Sequence, residues 1–120
     1  MTSADKVTAK TSSAELGVTV PQGFSAAAVT IAAAMFTRNQ VTAAPVRYTQ
    51  AHNDGTFRAV VVNSGNANAC NGAQGDKDAK ATAERVAEAL GCQPGDVAVC
   101  STGLIGDVLP MDKVLAGVDE

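Results

Sequence analysis

The sequence predicts an α/β fold in which helices pack outside buried strands. Two strand–loop–helix units in succession support this prediction: an apolar run at 57–62 and another at 97–100, each followed by small polar residues and then by a predicted helix. With 120 residues, 46% hydrophobic residues and a net charge of −3, the chain has the composition of an ordinary globular protein. A chain of this length forms one domain at most.

Composition also excludes several function classes. The small negative charge and an aromatic content of 3% argue against nucleic acid as a partner, because such proteins use basic surfaces and stacking rings. The most apolar stretch, 25–36, is about half of the ~20 residues that cross a bilayer. Residues 1–15 lack the apolar core of a signal peptide. We therefore expect a cytoplasmic protein without a membrane partner.

The amino-terminal third is harder to assign. We expect a flexible leader at 1–16, rich in Thr, Ser, Ala and Lys, and a domain at 17–120. Residues 18–24 suit a short edge strand and turn, whereas 26–37 could be a helix or a buried strand. Residues 41–48 are predicted as a strand in which Pro45 takes an edge or bulge position.

The remaining two thirds carry clearer signals. Asn53-Asp54-Gly55 predicts a turn, and the run at 57–62 predicts a strand buried on both faces. The clearest helix is 77–90, with Asp76 as N-cap and Gly91 in the left-handed position after it. A second buried strand is expected at 97–100, and a last helix from Pro110 to 118. The apolar stripe of the clearest helix consists of Ala83, Val86, Ala87 and Leu90.

The cysteine and histidine residues give little support for a catalytic or metal-binding role. Cys70, Cys92 and Cys100 are odd in number and lack CxxC spacing, which favours reduced, buried, structural thiols. The only histidine, His52, stands beside a turn, so we expect a loop residue and no metal site. A nucleophilic Cys70 or Cys100 paired with His52 would require the fold to bring them together, and nothing in their spacing supports it.

Two loops follow the predicted buried strands, at 63–72 and 101–106, and both are rich in Gly, Ser, Thr and Asn. Such residues often serve only as turn formers. The alternative function is charge stabilisation: the Thr102 hydroxyl and the Gly103 amide could form an oxyanion hole for acyl transfer. Phosphate-loop motifs and a G-x-S-x-G nucleophile elbow are both missing from the sequence. The residues alone therefore suggest charge stabilisers without a nucleophile.

At these same loops the chain resembles a known family. Val-Asn-Ser-Gly-Asn-Ala-Asn-Ala-Cys-Asn-Gly at 62–72 and Cys-Ser-Thr-Gly-Leu-Ile-Gly at 100–106 are similar to two signatures of the bifunctional ornithine acetyltransferase/N-acetylglutamate synthase family of arginine biosynthesis. Leu-Pro-Met-Asp-Lys at 109–113, Pro-Gln-Gly-Phe at 21–24 and Phe-Thr-Arg-Asn at 36–39 strengthen the resemblance, which covers 17–118.

The resemblance implies a layered α/β sandwich and a cytoplasmic acyltransferase. Its members move an acetyl group from N2-acetylornithine to glutamate, and some also use acetyl-CoA as donor, without a resident cofactor. The family precursor cleaves itself before a threonine, and the resulting α and β chains stay together, commonly as α2β2. The family's oxyanion-hole pair falls on Thr102 and Gly103 here. The nucleophile is the threonine at the start of the β chain, which this sequence does not contain.

Two departures from the family pattern matter. Only eleven residues separate Phe24 from Phe36, so roughly twenty or more positions are missing there. The chain also stops at Glu120, before the self-cleaving threonine, and we expect the amino-terminal part of an α chain that is inactive alone. A non-catalytic binding or scaffold domain derived from the same fold is the alternative, and an unrelated cysteine hydrolase is a third hypothesis.

Overall fold

The computed structural model describes residues 24–28 and 33–120. The elements in chain order are β1 (Phe24–Ala28), α1 (Ala44–Ala51), β2 (Ala59–Asn66), α2 (Gly72–Leu90), a short 3-10 turn (Pro94–Asp96), β3 (Val97–Leu104) and α3 (Met111–Asp119). The α/β class predicted from the sequence is confirmed. The expected leader at 1–16, and all but the last residue of the strand and turn expected at 18–24, lie outside the described residues.

The described strands form one sheet in the order β1-β2-β3. β1 runs antiparallel to β2, whereas β2 and β3 are parallel and are joined through α2. Parallel neighbours need such a crossover, because a tight hairpin can connect only antiparallel strands. The stretch at 26–37, left open between helix and strand, contributes β1 at its start and irregular backbone at 33–37, while 29–32 are outside the described part.

The core lies between one face of the sheet and the helices. Alternate residues of β2 and β3 meet the apolar stripe of α2 there, with Val118 of α3 beside it. The strand side contributes Ala59, Val61, Val97 and Val99, and the helix side contributes Ala83, Val86 and Ala87. The predicted stripe of α2 is therefore confirmed, with Leu90 packed partly buried at its end. Because these side chains are small, α2 can lie close to the sheet.

The opposite face of the sheet is far more open, and this corrects the expectation of burial on both faces at 57–62. Val60 and Val62 are only partly buried, and Ser64, Cys100 and Thr102 are exposed. The continuous apolar run hid the alternation because both faces of β2 carry valine. Phe57, which was expected in the strand, lies before it and is fully buried.

Both parallel strands are longer than predicted. β2 runs on through Asn63, Ser64, Gly65 and Asn66, and β3 runs on through Leu104, although these residues have turn composition. The register pairs Asn63 with Ser101 and continues unbroken to Asn66 with Leu104. The ladder between the strands overrides the weak local preference for a turn, as tertiary context often does.

The strand predicted at 41–48 is wrong, since this segment forms the start of α1. Pro45 lies in the first turn of α1, where its missing N–H is not needed and its fixed φ suits a helix. The Asn53-Asp54-Gly55 turn after α1 is confirmed. Gly55 has φ +93°, and the Asp54 carboxylate accepts hydrogen bonds from the Thr56 amide and hydroxyl, which lower the pKa of Asp54.

The predicted N-cap of α2 is also wrong. α2 begins at Gly72, so Asp76 lies inside the helix, where it pairs with Arg47 of α1 at 2.5 Å. Periodicity at 77–90 could not show the extra turn, because Ala73 is the only apolar side chain from Gly72 to Asp76. The end of α2 is confirmed: Gly91 has φ +64° and its amide donates to Ala87 and Glu88 carbonyls.

Candidate oxyanion site

The candidate site lies where the parallel strands β2 and β3 end together. Ser64 is opposite Thr102, and Gly65 is opposite Gly103. Parallel strands bring their carboxyl ends to the same edge of the sheet, where ligands bind in many α/β proteins. The fold therefore brings together the two loops that the sequence analysis selected independently.

Glycine is the one residue type that fits position 103 of β3. Its φ of +132° is unfavourable for any side chain, and a Cβ there would overlap the backbone carbonyl of Gly65. Gly65 itself has φ +113°, but a Cβ on Gly65 would meet nothing within 4 Å. The close approach of β2 and β3 thus depends on the glycine of β3.

Gly103 lies near the end of β3, whose outer edge faces away from β2. Val99, four residues earlier, turns both its N–H and its C=O outward to the Thr49 hydroxyl, at 2.9 and 3.2 Å. Leu104 presents its carbonyl to the β2 side, where the Ala67 amide donates to it at 2.8 Å. Successive residues of a regular strand alternate the direction of these groups, but Gly103, at φ +132°, departs from that geometry. Val99 therefore marks the outer edge of β3. On that edge no described strand pairs with β3.

Thr102 projects from the open face of the sheet. The residue is exposed, and its hydroxyl has no hydrogen-bond partner among residues 24–28 and 33–120. Thr102 and Gly103 are thus two consecutive exposed residues near the carboxyl end of β3, and they carry a hydroxyl and a backbone amide as hydrogen-bond donors.

Ser101 ties the loop after β2 to β3. Its hydroxyl accepts from the Asn68 amide at 2.8 Å and donates to the Asn66 carbonyl at 3.3 Å. Asn68 is buried, and its side-chain amide donates to the Gly75 carbonyl at 2.7 Å, so this loop is also fixed to α2. The Ser101 side chain, next to Thr102, is thus fixed by two hydrogen bonds to the segment 66–68.

Two further asparagines connect the loop after β2 to the loop after β3. The Asn66 side chain donates to the Val108 carbonyl at 3.1 Å, and the Asn71 side chain donates to the Asp107 carbonyl at 3.2 Å. Sequence analysis interpreted these asparagines only as turn formers. Their partners are 42 and 36 residues away along the chain, and local composition carries no signal for such pairs.

A cavity of about 490 Å³ adjoins the site between the end of β2 and α3. Ser64, Asn66 and Lys113 are among the residues that line it. Its size suits a small molecule. The lining carries both charges, because Lys113 supplies an ammonium and Glu120 a carboxylate.

The cysteine residues do not form the pair that a thiol hydrolase would need. Cys70 lines a small cavity with Ala44 at the start of α1, whereas His52 follows the end of α1. Eight residues of helix separate these ends by about 12 Å. His52 Nδ1 is 2.7 Å from the Tyr48 carbonyl, as suits a loop residue.

The expectation of buried thiols holds only in part. Cys70 and Cys100 are exposed, and only Cys92 is partly buried. All three are free thiols. Partial burial of the sulfur atoms raises the pKa of Cys92 and of Cys100. A raised pKa leaves less thiolate at neutral pH, which is the opposite of what activates a nucleophilic cysteine.

Residues 24–28 and 33–120 contain neither a metal-binding cluster nor a membrane-spanning helix. No group of three His, Cys, Asp or Glu side chains in that part of the chain comes together as a metal site would require. No helix described there has the length and apolar character to cross a membrane.

Comparison with known proteins decides the family. A model of the ArgJ family matches residues 4–120. The chain belongs to the ArgJ family. The arginine biosynthesis bifunctional protein ArgJ of Mycobacterium leprae is 52% identical over 129 aligned positions, which cover 85% of this chain and 32% of that protein. The ArgJ protein of Thermobifida fusca is 61% identical over 89 positions, covering 73% of this chain and 23% of that protein.

Solved ArgJ structures share the fold. The ornithine acetyltransferase of Mycobacterium tuberculosis, solved in complex with ornithine, superposes with a TM-score of 0.77 at 53% identity, over 80% of this chain and 55% of that one. ArgJ of Bacillus halodurans gives 0.76 at 40% identity, over 80% and 53%. The chain spans about a third of the length of the curated relatives it matches.

The alignments also measure an internal difference. The Mycobacterium leprae alignment has 129 positions although it covers only 85% of a 120-residue chain, so more than twenty of its positions have no counterpart here. The Thermobifida fusca alignment covers 73% of this chain over 89 positions and is almost free of gaps. The excess is of the size expected between Phe24 and Phe36.

Proposed function

We propose that this ArgJ chain supplies the oxyanion hole of a glutamate N-acetyltransferase, which moves an acetyl group from N2-acetylornithine to glutamate in arginine biosynthesis. Thr102 and Gly103 are the donors. The observation that carries the proposal is the exposure of Thr102 and Gly103, with a hydroxyl and an amide as donors, at the end of β3 opposite Ser64 and Gly65. The sequence similarity to ArgJ proteins and the fold of the ornithine acetyltransferase support it.

The chemistry proposed is acyl transfer in two steps. The hydroxyl of a threonine outside this chain attacks the acetyl carbonyl carbon of N2-acetylornithine, and the carbonyl electron pair moves onto oxygen. The hydroxyl of Thr102 and the amide of Gly103 donate to that oxyanion. When the pair returns, the C–N bond breaks, and the departing nitrogen takes up the proton lost by the nucleophile, releasing ornithine. The amine of glutamate then attacks the acetyl ester by the same route.

The electrostatic benefit comes from preorganisation. The close contact of Gly103 with Gly65 and the tie through Ser101 hold the donors in place before the substrate arrives. Donors that need no reorganisation during the reaction lower its barrier, and a single one is worth about 3–4 kcal/mol. The cavity lined by Lys113 and Glu120 is a candidate site for an amino-acid substrate, which carries a carboxylate and an ammonium of its own.

The proposed reaction also requires a partner chain and an acetyl donor. The β chain of the same precursor would bring the nucleophilic threonine, in an α2β2 assembly. N2-acetylornithine is the acetyl donor, and acetyl-CoA is the second donor to assay. No resident cofactor is part of the proposed reaction, because a hydroxyl nucleophile and its own amine base suffice for acyl transfer.

The experiment uses a chimaeric enzyme, here called the segment chimaera. Residues 33–120 of this chain replace the aligned segment of the full-length Mycobacterium leprae relative. We expect ornithine release that depends on both N2-acetylornithine and glutamate, at a rate within tenfold of the unmodified relative. A chimaera that folds and cleaves itself but transfers no acetyl group would contradict the proposal and favour a scaffold role for this chain.

A further inference from the structure

We infer that Ser64 is a positioning residue for the Thr102 hydroxyl. This inference rests on the proposed function, since it assigns to Ser64 a role that acts through the oxyanion hole. Ser64 was noted in the sequence only as one member of a turn-prone loop. The structure instead places it in β2, directly opposite Thr102 in the parallel ladder.

The two side chains lie on the same face of the sheet. Partners in register point to the same side, and adjacent strands are about 4.8 Å apart. Val62 and Cys100, the pair two residues earlier, lie on this same open face. Two hydroxyls at this spacing can form a hydrogen bond by rotation about their χ1 angles alone.

Neither hydroxyl is committed elsewhere. Within the described ranges, the Ser64 and Thr102 hydroxyls make no hydrogen bonds, whereas those of Thr49, Thr82 and Ser101 bond to backbone groups. Ser64 and Thr102 are also both exposed. Because these two hydroxyls do not form hydrogen bonds with buried backbone groups, they are available to a ligand.

The direction of the hydrogen bond follows from the role of Thr102. If the Thr102 O–H donates to an oxyanion, its lone pairs are free to accept, and the Ser64 O–H is the neighbour that can donate to them. Accepting one hydrogen bond orients the Thr102 proton away from Ser64 and strengthens its own donation. Ser64 thereby orients and polarises Thr102 without touching the substrate oxygen.

The test is a double-mutant cycle in the segment chimaera. We expect Ser64→Ala to lower kcat by about tenfold, the loss typical of one hydrogen bond, with little change in KM. In a Thr102→Ala background the same Ser64→Ala substitution should have no further effect, because its target is gone. Ser64→Thr, which keeps the hydroxyl, should restore most of the rate.

A matched control is Cys100→Ala, which shortens a side chain on the same face of the same ladder. We expect it to leave kcat unchanged. Equal losses from Ser64→Ala with and without Thr102 would overturn the inference and make Ser64 an independent contact. A normal kcat for Ser64→Ala alongside a slow Thr102→Ala would overturn it as well while leaving the proposed function intact. A normal kcat for Thr102→Ala would instead refute the oxyanion role itself.

Discussion

Thr102 is the residue on which the proposed chemistry can be tested most directly. In the segment chimaera we expect Thr102→Ala to lower kcat by about two to three powers of ten, because one donor to the oxyanion is lost. KM should change much less, since the charge develops mainly in the transition state. Steady-state assays on folded, correctly cleaved enzyme measure both constants.

Thr102→Ser is the matched control, because it keeps the hydroxyl and loses only a methyl group. It should retain much of the rate. If Thr102→Ala has a kcat within about threefold of the starting enzyme, Thr102 is only a structural residue of β3, and the substitution should then act on folding yield.

Gly103 can be tested against other glycines of the same chain. Gly103→Ala combines a strained φ with a clash against Gly65, whereas Gly106→Ala, at φ +108°, has the strain and open space around it. We expect Gly106→Ala to cost about 1–3 kcal/mol of stability at most. Gly103→Ala should cost clearly more and should also displace the amide donor, lowering kcat. Urea unfolding of the two variants that shows equal losses would contradict the close approach of β2 and β3.

At the scale of elements, α1 closes the outer edge of β3 near its start. Thr49 of α1 is buried, and its hydroxyl makes both hydrogen bonds that a neighbouring strand would otherwise make to Val99. An exposed strand edge promotes pairing with other chains, and a polar side chain that occupies it prevents this. Beyond Val99 no strand among the described residues pairs with this edge.

Thr49→Val removes these bonds while conserving the side-chain volume. We expect the free energy of unfolding to fall by about 1–3 kcal/mol, because two buried backbone groups lose their partner. Thr49→Ser keeps the hydroxyl and should lose much less. Urea denaturation compares the variants, and a Thr49→Val protein as stable as the starting protein would show that water replaces the bond.

Side-chain contacts also join the loops after β2 and β3 to each other, and α2 to α3. Asn66 and Asn71 link the loop after β2 to the loop after β3. Arg85 of α2 holds Asp119 of α3 through two hydrogen bonds of 2.5 and 2.6 Å, which lower the pKa of Asp119. Both groups are exposed, so the pair orients α3 and adds little stability.

At the scale of the whole molecule, we predict that the purified 120-residue chain transfers no acetyl group between N2-acetylornithine and glutamate. The proposed nucleophile is a threonine that this chain does not contain, and charge stabilisers alone do not form the acetyl ester. Ornithine release is measured against a heat-treated control. Turnover above that control would point to a nucleophile among residues 1–120.

Stability of the isolated chain is the second prediction at this scale. The core consists largely of alanine and valine, whose burial contributes less transfer free energy than Leu or Phe. Folded domains have only about 5–15 kcal/mol in reserve, so we expect a broad, low-temperature unfolding transition by circular dichroism.

The informative control is a variant in which the relative's extra positions are restored between Phe24 and Phe36. This variant should unfold at a higher temperature. A sharp two-state transition of the unaltered chain, with dispersed amide resonances, would contradict the prediction.

The sequence by itself determined the α/β class, the stripe and end of α2, the turn after α1 and the family. These features depend on periodicity, on glycine and asparagine at positions of unusual φ, or on contiguous motifs, all of which are local. It failed at 41–48, where Pro45 was assigned to a strand edge although proline also suits the first turn of a helix. It failed at Asp76 as well, because the turn that begins α2 at Gly72 carries no apolar stripe.

Only the tertiary structure decided how the site is assembled. The sequence indicated Thr102 and Gly103, but the close approach of Gly103 to Gly65 depends on the register of β3 against β2. The pairing of Ser64 with Thr102 depends on a ladder that extends strands through residues of turn composition. Both are consequences of register, which joins residues far apart in the chain and therefore leaves no trace in local sequence.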